Sequence, residues 1–148
     1  MNRLLLALFS GLGAALAIGV LSYSDAEVSS LALLMAPFGA TTVLVFGLPE
    51  SPLAQPRNVI CGHLITAFIG IVFVELIGVT PLSLALATGL AVSAMLLTRT
   101  THPPAGANPL LVMLTGQSWN FLLTPVLLGT IILVVIGKSM RELQRRII

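Results

Sequence analysis

The stretch Arg99-Thr100-Thr101-His102-Pro103-Pro104-Ala105-Gly106-Ala107-Asn108-Pro109 decides how the rest of the chain is read. Two adjacent prolines, a glycine and a third proline cannot lie inside an ordinary helix, because each proline lacks a backbone donor and its ring clashes one turn back. Yet the tract lies among strongly apolar runs. In a bilayer an unpaired backbone group costs several kcal/mol, so irregular backbone survives only where protein or a water-filled cavity shelters it. A broken segment carrying a histidine beside an arginine therefore points to the working site of a membrane protein.

Composition agrees. The 148 residues are 57% hydrophobic and 8% charged, and mean hydropathy is +1.07. A soluble domain carries about 25% charged residues, enough to cover a water-facing surface. This chain does not. Its formal charge of +2 is small, and no basic face with aromatic platforms suggests nucleic acid. The single cysteine, Cys61, excludes an internal disulfide. The fold class expected is an all-α polytopic bundle forming one transmembrane domain over residues 1–148.

Apolar runs occupy roughly 4–22, 29–48, 58–78, 81–98, 105–117 and 121–137. The first four reach the length of about 20 residues that a 30 Å core requires, the last is slightly short, and the fifth is shorter and opens on the proline break. Turn residues separate them: Ser22–Glu27, Pro49–Pro52, Val79–Pro81 and Gly116–Ser118. With the N-terminus in the cytoplasm and six crossings, Arg3, Arg57, Arg99, Lys138, Arg141, Arg145 and Arg146 all fall on the cytoplasmic side, with Asp25 and Glu27 opposite. Lys and Arg bias orients membrane proteins, so both termini are expected in the cytoplasm of a cell whose inner (plasma) membrane holds the chain. The first run is too long for a secretory h-region, and Ser22-Tyr23-Ser24 is a poor cleavage site. Ser139–Ile148 reads as a short helical extension that anchors to anionic lipid, with Glu142 placed to pair with Arg146.

Small residues recur at four-residue spacing: Ala7, Gly11, Ala15 and Gly19; Gly62, Thr66 and Gly70; Ala85, Gly89 and Ser93. Such stripes let helix backbones approach closely, and tight packing of one bundle is the expected use. The alternative use is a subunit interface in a homo-oligomer. Pro37-Phe38-Gly39-Ala40 echoes Pro104-Ala105-Gly106-Ala107, and the ungapped match continues with Leu44 and Leu111, then Val45 and Val112. The chain can thus be cut into halves 1–78 and 79–148. Three spans in each would make the halves inverted repeats, with broken helices meeting near the midplane as in many transporters. Helices restarting at Pro37 and at Pro103 or Pro104 carry proline where its missing donor is harmless. Their N–H groups and positive dipole ends would form a site for a small anion, with room left by Gly39, Ala40, Gly106 and Ala107.

The substrate-binding set expected is Pro37, Phe38, Gly39, Ala40, Thr41, Thr101, His102, Pro103, Pro104, Ala105, Gly106, Ala107 and Asn108. Thr41, Thr42, Thr100, Thr101 and Asn108 offer neutral donors, although threonines in membrane helices more often bond their own backbone. His102 is either a cap of the broken helix or a substrate contact and proton carrier. Glu75, an acid near the end of the third run, is the other proton-coupling candidate or else an interfacial residue. Arg99 reads as a cytoplasmic flanking anchor or as a snorkelling cation at the site entrance. His63 reads as a structural histidine. Two histidines without cysteines or carboxylates nearby make no metal site, and no cofactor is implied. No catalytic triad, phosphate loop or paired buried carboxylates can be assembled, so an enzyme is not expected.

Thr101-His102-Pro103-Pro104-Ala105-Gly106-Ala107 resembles the signature of the HPP family of integral membrane proteins. Pro37-Phe38-Gly39-Ala40, with Ser51-Pro52-Leu53-Ala54-Gln55-Pro56-Arg57-Asn58-Val59 and then Gly62-His63, is similar to the family's pattern between its early spans. Members in cyanobacteria and chloroplasts are implicated in nitrite transport, so the resemblance implies a small-anion transporter with nitrite as substrate. The family is described with fewer spans than the six counted here. Some members carry soluble domains, and none is expected in this sequence. An anion entering a cell with a negative interior works against about 2.3 kcal/mol per 100 mV, so uptake needs a gradient, metabolic trapping or a co-transported proton. The rival readings are a passive anion channel and a non-transporting membrane scaffold subunit.

Overall fold

A computed structural model describes residues 3–27 and 33–147. All regular structure among them is helical. The α-helices are α1 (Arg3–Glu27), α2 (Pro37–Thr42), α3 (Pro56–Leu76), α4 (Pro81–Leu97), α5 (Asn108–Thr115) and α6 (Leu128–Ile147). A π-helical turn, Val43–Gly47, continues α2, and a 3-10 turn, Pro103–Ala107, leads into α5. Among the described residues, three helical stretches are long and apolar enough to cross a bilayer: Arg3–Ala26, Pro56–Leu76 and Trp119–Ile147. Pro37–Gly47 and Pro81–Leu97 are apolar but shorter.

The second apolar run is therefore not the continuous span expected. Its first residues, 29–32, lie outside the described residues, and Leu33–Met35 is non-helical. Helix starts only at Pro37, because that ring fixes the first-turn φ while offering no donor to the turn before it. The incoming chain is held instead by the Asp25 carboxylate, which accepts from the Leu33 and Leu34 N–H groups. Proline opens α3 and α4 as well, and at α4 Thr80 and Ser83 form a reciprocal cap. α6 continues unbroken through the basic tail to Ile147, where Arg146 Nε donates to Glu142 at 2.9 Å. A break before α6, at Thr124 (φ −131°, ψ 120°), has no counterpart in the sequence reading.

α3 is the central post. Its stripe Gly62, Thr66 and Gly70 is buried and receives the second broken segment. A Cβ on Gly62 would lie 2.9 Å from the Thr100 carbonyl oxygen and 3.0 Å from His102 Cβ, and one on Gly70 would lie 3.0 Å from Pro109 Cα. Glycine is needed where backbones approach so closely. The stripes on α1 and α4 behave otherwise: Ala7, Gly11, Ala15, Ala85, Gly89 and Ser93 are exposed, with nothing within 4 Å of a Cβ on Gly11 or Gly89. Tight packing within one bundle therefore holds for α3 alone. The main core joins α1, α2 and α6 to α3 through Leu21, Phe38, Val59, Ile71, Val126 and Leu133.

After α4 the chain turns sharply. Arg99 takes a left-handed conformation (φ 55°), and the Thr100 N–H donates to the Met95 carbonyl at 2.9 Å. This is the terminal geometry that usually selects glycine. It turns Thr100, Thr101 and His102 back into the bundle.

Candidate functional site

The two proline-opened segments meet on α3, and side chains rather than backbone donors make the junction. Thr41 of α2, His63 and Thr66 of α3, His102 before the 3-10 turn and Asn108 at the start of α5 are each 0% exposed. In a chain this apolar, such a cluster survives because its members satisfy one another. Thr41 Oγ1 lies 2.9 Å from His63 Nε2 and 3.0 Å from His102 Nε2. His102 Nδ1 lies 2.8 Å from the Leu53 carbonyl oxygen. Asn108 Nδ2 lies 3.0 Å from each of His63 Nδ1, the His63 carbonyl oxygen and Thr66 Oγ1. Thr66 in turn donates to the Gly62 carbonyl at 2.8 Å.

Local sequence fixes each member. Leu53 belongs to a 3-10 turn, Pro52–Ala54, started by the Ser51 hydroxyl accepting from the Leu53 N–H at 3.2 Å. Gln55 Nε2 donates to the Pro49 and Ser51 carbonyls at 3.1 and 2.9 Å, bracing that turn against the start of α3. Phe38 covers the opposite side, edge-on to the His63 ring at 5.4 Å. The two imidazole centroids are 5.0 Å apart. Asn108 Oδ1 is buried with no hydrogen-bond partner.

Of the residues expected at the site, Thr41, His102 and Asn108 enter the cluster, with Pro37, Phe38 and Ala105 buried around it. Thr101, Pro104 and Gly106 are half-buried; the Thr101 carbonyl accepts from Asn58 Nδ2 at 3.0 Å. Gly39, Ala40, Pro103 and Ala107 face outward. Glu75 is exposed, three helical turns beyond His63 and about 18 Å along the axis at 1.5 Å per residue. Several backbone donors expected to be free are already engaged: the Phe38 and Gly39 N–H groups donate to Met35 and Ala36 carbonyls at 3.0 and 3.1 Å, and the Ala105 N–H to the His102 carbonyl at 2.9 Å. Thr42 bonds its own helix through the Gly39 carbonyl at 2.7 Å, and Thr100 pairs with Thr98 at 2.7 Å. His63 is the member that sequence reading set aside. The signal was its place beside Gly62 and Thr66, on the one small-residue face that is buried.

None of Thr41, His63, Thr66, His102 and Asn108 lines either of two openings toward the ends of the bundle. A crevice of about 430 Å³ is lined by Met35, Ala36, Leu111, Thr115, Asn120 and Thr124 at the end of the bundle where Asp25 holds Leu33. At the other end a cleft of about 810 Å³ lies between Leu6, Leu48 and the α6 tail, where Glu50 pairs with Arg141 and lies 3.9 Å from Arg145.

Fold and cluster together define a polytopic, all-helical integral membrane protein with broken helices around a buried polar centre. It belongs to the HPP transmembrane family: the family model described as HPP, transmembrane region, matches residues 1–147. Two transmembrane proteins of Dictyostelium discoideum are each 34% identical to it. One aligns over 149 residues, covering 95% of this chain and 51% of its own length. The other aligns over 139 residues, covering 88% and 45%. The chain thus spans about half the length of these curated relatives. No solved structure matches it.

Proposed function

We propose that the protein is a transporter for a small inorganic anion, with nitrite as the leading substrate, and that transport rather than catalysis is its role. The observation that carries this reading is the meeting of two proline-opened helices around Thr41, His63, His102 and Asn108, all fully buried. Polar groups are expensive in a membrane interior and mark paths for ions and substrates. Among the described residues the site holds hydroxyl, imidazole and amide side chains without a buried fixed cation. A small monovalent anion suits such a site, whereas a divalent one would lack a counter-charge. Among the described residues the order apolar helix, proline-opened short segment, apolar helix occurs twice, which favours the two-repeat construction with halves 1–78 and 79–148. Closure of the cluster to water favours a carrier over an open pore.

The test is nitrite uptake into proteoliposomes containing this chain alone, with nitrate and chloride as competitors. Saturable nitrite flux above that of protein-free vesicles is expected. Flux no greater than the control leaves the scaffold reading in its place, and flux that never saturates leaves the channel.

A further inference from the structure

At the basic end of the bundle, α1, the loop after α2 and the α6 tail enclose the cleft of about 810 Å³, and its walls differ in character. One wall is apolar, built by Leu6, Gly47, Leu48 and Pro49, with Leu48 57% exposed. The other carries Arg141 and Arg145, which share a stripe of α6 because residues four apart face the same way. A single acid stands among them: Glu50, paired with Arg141. Arg145 lies 3.9 Å from that carboxylate, too far for a hydrogen bond, and among the described residues nothing else takes its guanidinium. Arg141 is also incompletely satisfied, since its Nε has no hydrogen-bond partner. Two cations against one anion leave the cleft with one positive charge in excess. Lys138, Glu142 and Arg146 form the neighbouring stripe and line a separate depression, where Arg146 pairs with Glu142 at 2.9 Å.

We propose that this cleft binds one anionic phospholipid, its phosphate on Arg145 beside Arg141 and an acyl chain against Leu6 and Leu48. A guanidinium presents paired donors that match two phosphate oxygens at once. Basic pockets between membrane helices hold anionic headgroups in this way. The position suits a lipid. Both α1 and the stretch Trp119–Ile147 are long and apolar enough to cross a bilayer, and the cleft lies between them where their basic ends meet the headgroup level. Leu5 and Leu8, on the same turns of α1 as Leu6, are exposed, so hydrocarbon reaches that part of the helix. A small inorganic anion would leave most of the 810 Å³ unfilled and the leucine wall wet. A zwitterionic headgroup would bring an ammonium in need of an acid, and Glu50 is already engaged by Arg141. The net positive charge therefore selects a lipid of net negative charge. Such a lipid touches α1, the loop after α2 and α6 together, so it binds the folded chain and stabilises it. The site is apart from the buried cluster and stands whether or not the chain carries nitrite. It also differs from diffuse attraction to a basic tail, which would use Arg146 as much as Arg145.

The test uses the full chain in a mild nonionic detergent at physiological ionic strength and follows its thermal midpoint as phosphatidylglycerol, phosphatidylethanolamine, phosphatidylcholine or inorganic phosphate is added. Phosphatidylglycerol should raise the midpoint to a plateau, and native mass spectrometry should show one such lipid retained per chain. Arg145→Gln should raise the half-saturating lipid concentration about ten-fold, the loss expected for a charge-assisted hydrogen bond. Arg146→Gln makes the same charge change one residue on, outside the cleft, and should leave that concentration within about two-fold because exposed charges are screened. Leu48→Gln keeps both arginines but spoils the apolar wall, and it too should weaken binding. It decides the question if Arg145→Gln cannot be purified, because binding unchanged by Leu48→Gln overturns the site. A response to either zwitterionic lipid equal to that of phosphatidylglycerol overturns the selection of an anionic headgroup. A response to inorganic phosphate that matches it makes the cleft a free-phosphate site instead. Equal weakening by Arg145→Gln and Arg146→Gln reduces the effect to the general charge of the tail and overturns the proposal.

Discussion

A hydroxyl shared by two imidazoles has one proton to give, so at Thr41 the identity of each neighbour is decided by what lies on its far side. That property makes His102 separable from its fold. A glutamine can donate to the Leu53 carbonyl and accept from Thr41, reproducing both contacts of the ring (2.8 and 3.0 Å) without being able to pass a proton. His102→Gln is therefore expected to insert and fold normally. Wild-type uptake should fall as external pH rises, because the driving proton becomes scarce, and the variant's initial rates should vary less across mildly acid to mildly alkaline pH. An unchanged profile removes His102 as proton carrier. Gly106 is separable for a different reason. A Cβ there meets nothing within 4 Å, so Gly106→Leu is expected to leave the bundle folded. Its side chain instead enters the space beside the second broken segment, and nitrite flux should drop to near background in a well-expressed protein. Normal flux from that variant removes Gly106 from the path.

Between elements the decisive contacts are those of α3 with the second broken segment. Gly62→Leu would thrust a side chain against the Thr100 carbonyl and His102, and overpacking of this kind costs about 1–3 kcal/mol. The thermal midpoint of the detergent-solubilised protein should fall, whereas Gly89→Leu, on an open face, should leave it unchanged. Equal midpoints for the two variants would refute α3 as the organising post. This contrast also shows what was legible in the sequence. Prolines at 37, 56, 81 and 103 announce helix starts because the ring acts through local geometry alone, and each starts a helical segment in the structure. The meeting of Pro37–Ala40 with Pro103–Ala107 was readable from the same rings, although Gly39, Ala40, Pro103 and Ala107 face outward. Apolar character gave no comparable help. It is the same in a helix and in the non-helical Leu33–Met35, so that irregularity could not be seen; the Thr124 break was overlooked although Pro125 pushes the residue before it out of helical φ/ψ. Nor does four-residue spacing say whether a small-residue stripe meets its own bundle or points away from it. His63 was passed over for that reason: only tertiary packing distinguishes its face of α3 from the outward faces of α1 and α4.

Across the whole molecule, charge divides the two ends of the bundle. Arg57 donates to the Thr98 carbonyl at 3.2 Å, which joins the start of α3 to the end of α4 beside Arg99. Glu50 holds Arg141 and lies near Arg145, which brings the loop after α2 onto the α6 tail, and Leu6 of α1 lines the same cleft. The basic residues of α1, α3, α6 and the turn after α4 thus gather at one end. At the other, the Asp25 carboxylate receives the returning chain. Because Lys and Arg are retained on the cytoplasmic side, the asymmetry predicts that both termini face the cytoplasm and that Asp25 faces out. An impermeant thiol reagent applied to intact cells should label Asp25→Cys in a Cys61→Ser background. A reporter fused after Ile148 should be active only if its chemistry requires the cytoplasm. Protection of the cysteine at position 25, or an exported reporter, would mean an odd number of crossings or an inverted molecule. The crevice beside Thr115 and Asn120 would in the inverted case open to the cytoplasm instead of outside.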